Sequence, residues 1–175
     1  MRMKRIFLIG YMGAGKTTVG KILANLLGLS FIDLDYYIEG RYHKTVSQLF
    51  AEKGEENFRT IERKMLHEVA DFENVLVSTG GGTPCFFDNM EVMNEKGKTV
   101  YLKVSVEELT NRLEVCKATR PVLKGRSGEE LTCFIAENLE KREPFYRQAA
   151  VVFDAENMMT EQDVQHISQS LAAIL

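Results

Sequence analysis

No apolar run in the 175 residues approaches the ~20 needed to span a bilayer, and positive charge is not in excess. The 22 Lys and Arg against 25 Asp and Glu leave a formal charge of −3. That balance gives no general attraction to nucleic-acid phosphates or anionic lipid, so neither nucleic acid nor membrane is expected as a partner. The basic start followed by a short apolar stretch is not read as a signal peptide, because Lys16 interrupts it and no small-residue cleavage site precedes it. Cysteine is scarce as well. Cys85, Cys116 and Cys133 are odd in number and separated by 31 and 17, which fits no zinc spacing and suits idle thiols in a reducing cytoplasm. Internal repeats, low-complexity tracts and long linkers are missing. With 45% hydrophobic and 27% charged residues, disordered and fibrous classes are excluded. The length predicts one domain over residues 1–175, and the small net charge without an evident exposed apolar stripe suggests a monomer.

What is present alternates. Residues 4–9 form a compact apolar segment closing on Gly10, as a buried parallel strand does. Val19, Ile22, Leu23, Leu26 and Leu27 then mark one helical face, ended by Gly28. Further strands are predicted at 31–34, 75–78, 99–104 and 149–153. Helices are predicted at about 55–71, 107–113 and 129–143, with a closing helix through Val164, Ile167, Leu171 and Ile174. This alternation argues for an α/β fold with a parallel sheet covered on both faces. Two stretches, 35–54 and the charged 117–128, are surplus to the sheet, so function is expected there.

Gly10-Tyr11-Met12-Gly13-Ala14-Gly15-Lys16-Thr17 matches the phosphate-loop pattern G-x-x-x-x-G-K-[ST] in the required strand–loop–helix setting. Glycines let consecutive N–H groups turn inward around a phosphate, and the following helix N-terminus adds positive potential. Lys16 is placed for the β- and γ-phosphates and Thr17 for Mg²⁺. A dinucleotide motif is excluded because Thr18 stands where G-x-G-x-x-G needs glycine. A GTPase would need Asn-Lys-x-Asp, which does not occur. A motor or transport ATPase would usually be longer and carry an Asp after its third strand, where this chain has Ser78-Thr79 and three glycines.

Asp33 and Asp35, read as alternate residues of a strand, point to one side, where one could serve a metal's water shell and the other an acceptor hydroxyl. Arg59 either pairs with Glu62 one turn on or faces a ligand. Arg142 continues the face of Leu131, Phe134, Ile135 and Asn138, so its guanidinium points inward and needs an anion; Pro144 ends or kinks that helix just beyond. Gly80-Gly81-Gly82 permits close approach to a ligand. Two arginines, a carboxylate and exposed amides suit a small hydroxy acid, and these residues alone lead to a small-molecule kinase.

In order along the chain, Gly10–Thr17, the Phe31-Ile32-Asp33-Leu34-Asp35 run, Phe58-Arg59 with Glu62, Ser78-Thr79-Gly80-Gly81-Gly82, Arg120-Pro121 and Arg142-Glu143-Pro144-Phe145-Tyr146 resemble the shikimate kinase family. The resemblance implies a three-layer P-loop fold like that of nucleoside-monophosphate kinases, with five parallel strands in the order 2-3-1-4-5. It adds a substrate-binding insert at about 34–62 and a mobile lid at about 113–127. It implies ATP-dependent phosphorylation of the shikimate 3-hydroxyl, with Mg²⁺. Gly13, Ala14, Gly15, Lys16, Thr17, Thr18 and Arg120 would bind ATP, and Asp35, Lys16 and Arg120 would be catalytic. Asp35, Arg59, Gly80, Gly81, Gly82 and Arg142 would bind shikimate. Thr17 would ligate Mg²⁺, with Asp33 and Ser78 supporting it through water. Residues 115–119 and 154–160 depart from the family's adenine-contacting patterns, which leaves the adenine contacts open. A gluconate kinase shares loop and fold; the triple glycine and two separate arginine forks favour shikimate. A non-catalytic module would be expected to have lost Lys16, Asp33, Asp35 or Arg120, and all four are present.

Overall fold

A computed structural model describes residues 4–116 and 123–175. Its centre is β1 (Arg5–Ile9), in which Ile6, Phe7, Leu8 and Ile9 are wholly buried because both faces of the sheet are covered. The other strands are β2 (Ser30–Asp33), β3 (Val75–Ser78), β4 (Lys98–Lys103) and β5 (Val151–Asp154). All pairings are parallel and the order is β2-β3-β1-β4-β5, as the resemblance implied. Leu8 and Asp33 both pair in register with Ser78, so the carboxyl ends of β1, β2 and β3 finish level. That alignment opens the crevice where ligands of such sheets bind.

The helices are α1 (Lys16–Leu27), α2 (Leu34–Tyr42), α3 (Val46–Ala70), α4 (Asn89–Lys96), α5 (Val106–Cys116), α6 (Gly128–Tyr146) and α7 (Glu161–Ile174). α1 packs on α7 and α3 on α4; the right-handed crossovers usual for parallel strands put these two pairs on opposite faces of the sheet. A Cβ on Gly20 of α1 would lie 2.7 Å from the Phe31 ring, so the helix that follows the phosphate loop sits hard against the sheet. Gly28, in the left-handed conformation, closes α1 where its apolar stripe ends.

One expectation is corrected, and two features were not anticipated. Residues 31–34 are not all strand: β2 stops at Asp33, whose Oδ1 accepts from the N–H groups of Asp35 and Tyr36 and so caps α2. The stretch 35–54 is largely helical, comprising α2 and the first two turns of α3. Thr45 caps α3 in a reciprocal box with Gln48, and a break at Gly54 (φ 76°) re-aims the chain before residue 55. An unanticipated α4 follows a 3₁₀ turn at Thr83–Cys85; its buried apolar residues are Met90 and Met93, too few to show a period. Pro144 lies inside α6, which ends two residues later. The core of the expected lid, residues 117–122 with Arg120, lies outside the described residues.

Candidate active site

At the carboxyl ends of the strands two cavities of about 400 and 530 Å³ meet, and Met12, Asp35, Gly80 and Gly81 line both. The first is built on the phosphate loop. Gly13 and Gly15 hold φ values of 82° and 92°, which L side chains rarely adopt, and this turns the loop around the N-terminus of α1. Gly13, Gly15, Lys16, Thr17 and Thr18 line the cavity. Ala14 does not: it is buried, and its N–H donates to the Tyr11 carbonyl (3.1 Å), bracing the loop from within. Lys16 is buried, and its ammonium donates to the carbonyls of Gly10 (2.8 Å) and Tyr11 (2.9 Å). Thr17 lines the cavity, and its hydroxyl donates to Asp33 Oδ2 at 2.7 Å, a bond that does not use the oxygen lone pairs. A hydroxyl and a carboxylate oxygen side by side are the hard donors that Mg²⁺ takes beside phosphate and water. Ser78 is buried one step behind, beside Asp33 in the sheet.

Asp35 stands at the junction from the first turn of α2. Burial is the main cause that lifts its pKa to about 6; the carboxylates of Asp33 and Glu62 push the same way, and Lys16 opposes them. A carboxylate poised there can accept a proton near neutrality.

The second cavity has two guanidinium groups. Arg59, on α3 beyond the Gly54 break, is buried; its Nη1 donates to Glu62 (2.9 Å) and its Nη2 to Glu55 (3.4 Å). Pairing and ligand-facing are therefore not alternatives, since Arg59 does the first and also lines the cavity. The centroid of the Phe86 ring lies 4.2 Å from the Arg59 Cζ, and the Arg59 Nε is buried without a partner among the described residues. Glu62, itself buried, also accepts from the Thr83 hydroxyl at 2.8 Å. Arg142 reaches the cavity from the last turns of α6, as its helical face predicted, and makes no ion pair with a carboxylate among the described residues. Two guanidinium groups lining one cavity, one of them with no carboxylate partner among the described residues, are complementary to an anion.

The three glycines serve these side chains first. A Cβ on Gly82 would lie 2.6 Å from Arg59 Nη2, one on Gly81 3.2 Å from Arg142 Nη1, and one on Gly80 3.3 Å from both Asp35 and Glu62. None holds a positive φ, so what they supply is room rather than backbone freedom.

Several lining residues were not among the expected ones, Arg112 and Met158 among them. Arg112 of α5 donates to the carbonyls of Gly13 (3.3 Å) and Ala155 (2.9 Å) and to Glu108 (3.1 Å), tying the phosphate loop to the chain after β5. In sequence, Arg112 four residues after Glu108 reads as an ordinary surface pair, so nothing marked it. Met158 packs on Gly15, its Cε 2.1 Å from where a Cβ would be. It stands in the 154–160 stretch left open for adenine.

A phosphate cradle joined across one raised-pKa carboxylate to an arginine-walled pocket defines a P-loop phosphotransferase acting on a small molecule. The family model described as shikimate kinase matches residues 12–172. The chain is 76% identical to the shikimate kinase of Parabacteroides distasonis over 99% of this chain and 100% of that one. The crystal structure of shikimate kinase from Bacteroides thetaiotaomicron superposes with a TM-score of 0.95 at 55% identity, over 98% of each chain. That of Acinetobacter baumannii shikimate kinase in complex with shikimate gives 0.86 at 33%, over 99% of this chain and 93% of the other. The chain belongs to the shikimate kinase family.

Proposed function

We propose that the protein transfers the γ-phosphoryl group of ATP to the 3-hydroxyl of shikimate, giving shikimate 3-phosphate and ADP. The observation that carries this reading is the joining of the two cavities at Asp35, Gly80 and Gly81, with phosphate-loop groups on one side and Arg59 and Arg142 on the other. The carboxylate of the acid would lie against both guanidinium groups, which fixes the ring and turns its hydroxyl face to Asp35. Asp35 accepts the 3-hydroxyl proton as that oxygen attacks the γ-phosphorus; the bond to the β,γ-bridging oxygen breaks and ADP leaves with the electron pair. Lys16 exchanges its two carbonyl partners for β- and γ-phosphate oxygens, and the loop N–H groups of Gly13, Gly15, Thr17 and Thr18 hold the remaining phosphate charge. When bound, Mg²⁺ neutralises charge on the phosphate oxygens; Thr17 would ligate it, with Asp33 and Ser78 supporting its waters. Arg120, outside the described residues, is assigned to the transferring phosphoryl group from the family pattern. A lid over about 113–127 and a substrate-binding insert over about 34–62 complete the reading, in a single-domain cytoplasmic monomer. No helix among the described residues is long and apolar enough to cross a membrane, and Cys85 and Cys133 carry free thiols.

An ADP-release assay offering shikimate and gluconate separately tests this. Turnover with shikimate alone is expected; turnover with gluconate and none with shikimate overturns the acceptor.

A further inference from the structure

We propose that Tyr11, a variable position of the phosphate loop, is a positioning residue for Arg142 and thereby for the acid's carboxylate. The inference rests on the assignment of Arg142 to that carboxylate. Arg59 is held by two acids, whereas Arg142 has no carboxylate partner among the described residues, so its direction is set by neutral groups: the Tyr146 hydroxyl, which hydrogen-bonds with it, and the ring of Tyr11. The Arg142 Cζ lies 5.4 Å from the centroid of the Tyr11 ring, within reach of the ring's negative face. Nη1 also comes within 3.2 Å of the Cβ position of Gly81. The guanidinium thus lies against both a phosphate-loop ring and the glycine turn. Gly81 is in turn anchored, its carbonyl accepting from the Tyr146 hydroxyl at 2.5 Å.

Tyr11 is 2% exposed and its hydroxyl is buried with no hydrogen-bond partner among the described residues. A tyrosine that leaves its hydroxyl unpaired is using its ring. The backbone of the same residue holds Lys16, through a carbonyl that accepts from the ammonium. One loop residue therefore touches a cation on each side of the reaction: its backbone touches the phosphate-binding lysine and its ring the acid-binding arginine. Leucine would fill the space but offers no quadrupole to the guanidinium.

The test replaces Tyr11 with Phe and with phenylalanines carrying one, two and three ring fluorines, which withdraw charge from the face with little change of volume. Kinetics are measured for both substrates, in the otherwise native chain and with Arg142→Ala. Tyr11→Phe is expected to keep the KM for shikimate within twofold. The fluorinated series should raise it stepwise to about fivefold, with Tyr11→Leu at least as high. The KM for ATP should stay within twofold throughout, and the trend should vanish with Arg142→Ala. A flat series overturns the proposal, as does a parallel rise in the KM for ATP, a trend that survives Arg142→Ala, or a Phe variant as impaired as Leu. The fluorinated series decides the matter even if Tyr11→Leu fails to fold. If Arg142→Ala alone leaves the KM for shikimate unchanged, the carboxylate assignment has failed and the inference falls with it; if Arg142→Ala raises that KM while the series stays flat, only the inference falls.

Discussion

Arg59 shows how much of the site is decided by single atoms. Its guanidinium is buried, braced by Glu62 and Glu55, and lines the space an acid would fill. Gly82 exists to let it stand there, since even one methyl group would meet three guanidinium atoms within 2.9 Å. Gly82→Ala is therefore expected to raise the KM for shikimate about tenfold or more by moving Arg59, with little change in the KM for ATP. Arg59→Lys should do the same by losing the planar fork. Steady-state kinetics in both substrates check this, and an unchanged KM for shikimate in either variant would place the carboxylate elsewhere. Asp35 carries the opposite kind of cost. Its pKa rises from an ordinary 3.8 to about 6, so the folded state binds a proton more tightly than the unfolded chain does. The ionised form thus destabilises the fold above about pH 6, and the penalty fades as pH falls from 6 towards 3.8. Asp35→Asn is expected to raise the Tm at pH 7.5 in metal-free buffer, by about 1–3 kcal/mol of stability, and to leave it unchanged near pH 4. The same variant should lower kcat by roughly 10²–10⁴ if Asp35 takes the proton. Thermal melts at the two pH values separate the linkage from catalysis.

At the scale of elements, Asp33 does two jobs that a sequence cannot tell apart. It finishes β2 and caps α2, while its other oxygen holds the Thr17 hydroxyl. Serine also caps helices, so Asp33→Ser is expected to keep the Tm within a few degrees while raising the Mg²⁺ concentration needed for half-maximal rate several-fold. A large fall in Tm with normal Mg²⁺ dependence would make the capping role the dominant one. The same double duty explains which parts of the site were legible beforehand. The phosphate loop was, because only glycine at fixed spacing lets a backbone fold around phosphate, and the spacing is visible in the chain. The central strands were legible because burial on both faces leaves an apolar run. That Asp33 and Asp35 come together was legible, but for the wrong reason: strand alternation and a capped helix turn both bring carboxylates at i and i+2 to one place. The Gly54 break and α4 were not legible, since a kinked amphipathic helix and an eight-residue helix with two buried methionines give no sustained period. Arg112 was hidden for a different reason. Its acceptors are backbone carbonyls of Gly13 and Ala155, which no side-chain pattern encodes.

Across the whole molecule, the sheet acts as a level edge. Leu8 and Asp33 pair with the same residue, Ser78, so three strand ends deliver the loop, Asp33 and the glycine turn to one crevice. The two cavities are consequences of that edge, and Asp35, Gly80 and Gly81 are the seam between them. The account's central claim is that the acid spans the seam, held at one end by two guanidinium groups and offered at the other to the terminal phosphate. The measurement that bears on it most directly is a crystal structure with shikimate and a non-hydrolysable ATP analogue bound together. The account predicts the carboxylate within hydrogen-bond distance of both Arg59 and Arg142, and the 3-hydroxyl about 3 Å from Asp35 and in line with the γ-phosphorus. Shikimate bound with its carboxylate away from both arginines, or with the 3-hydroxyl turned from Asp35, would contradict it.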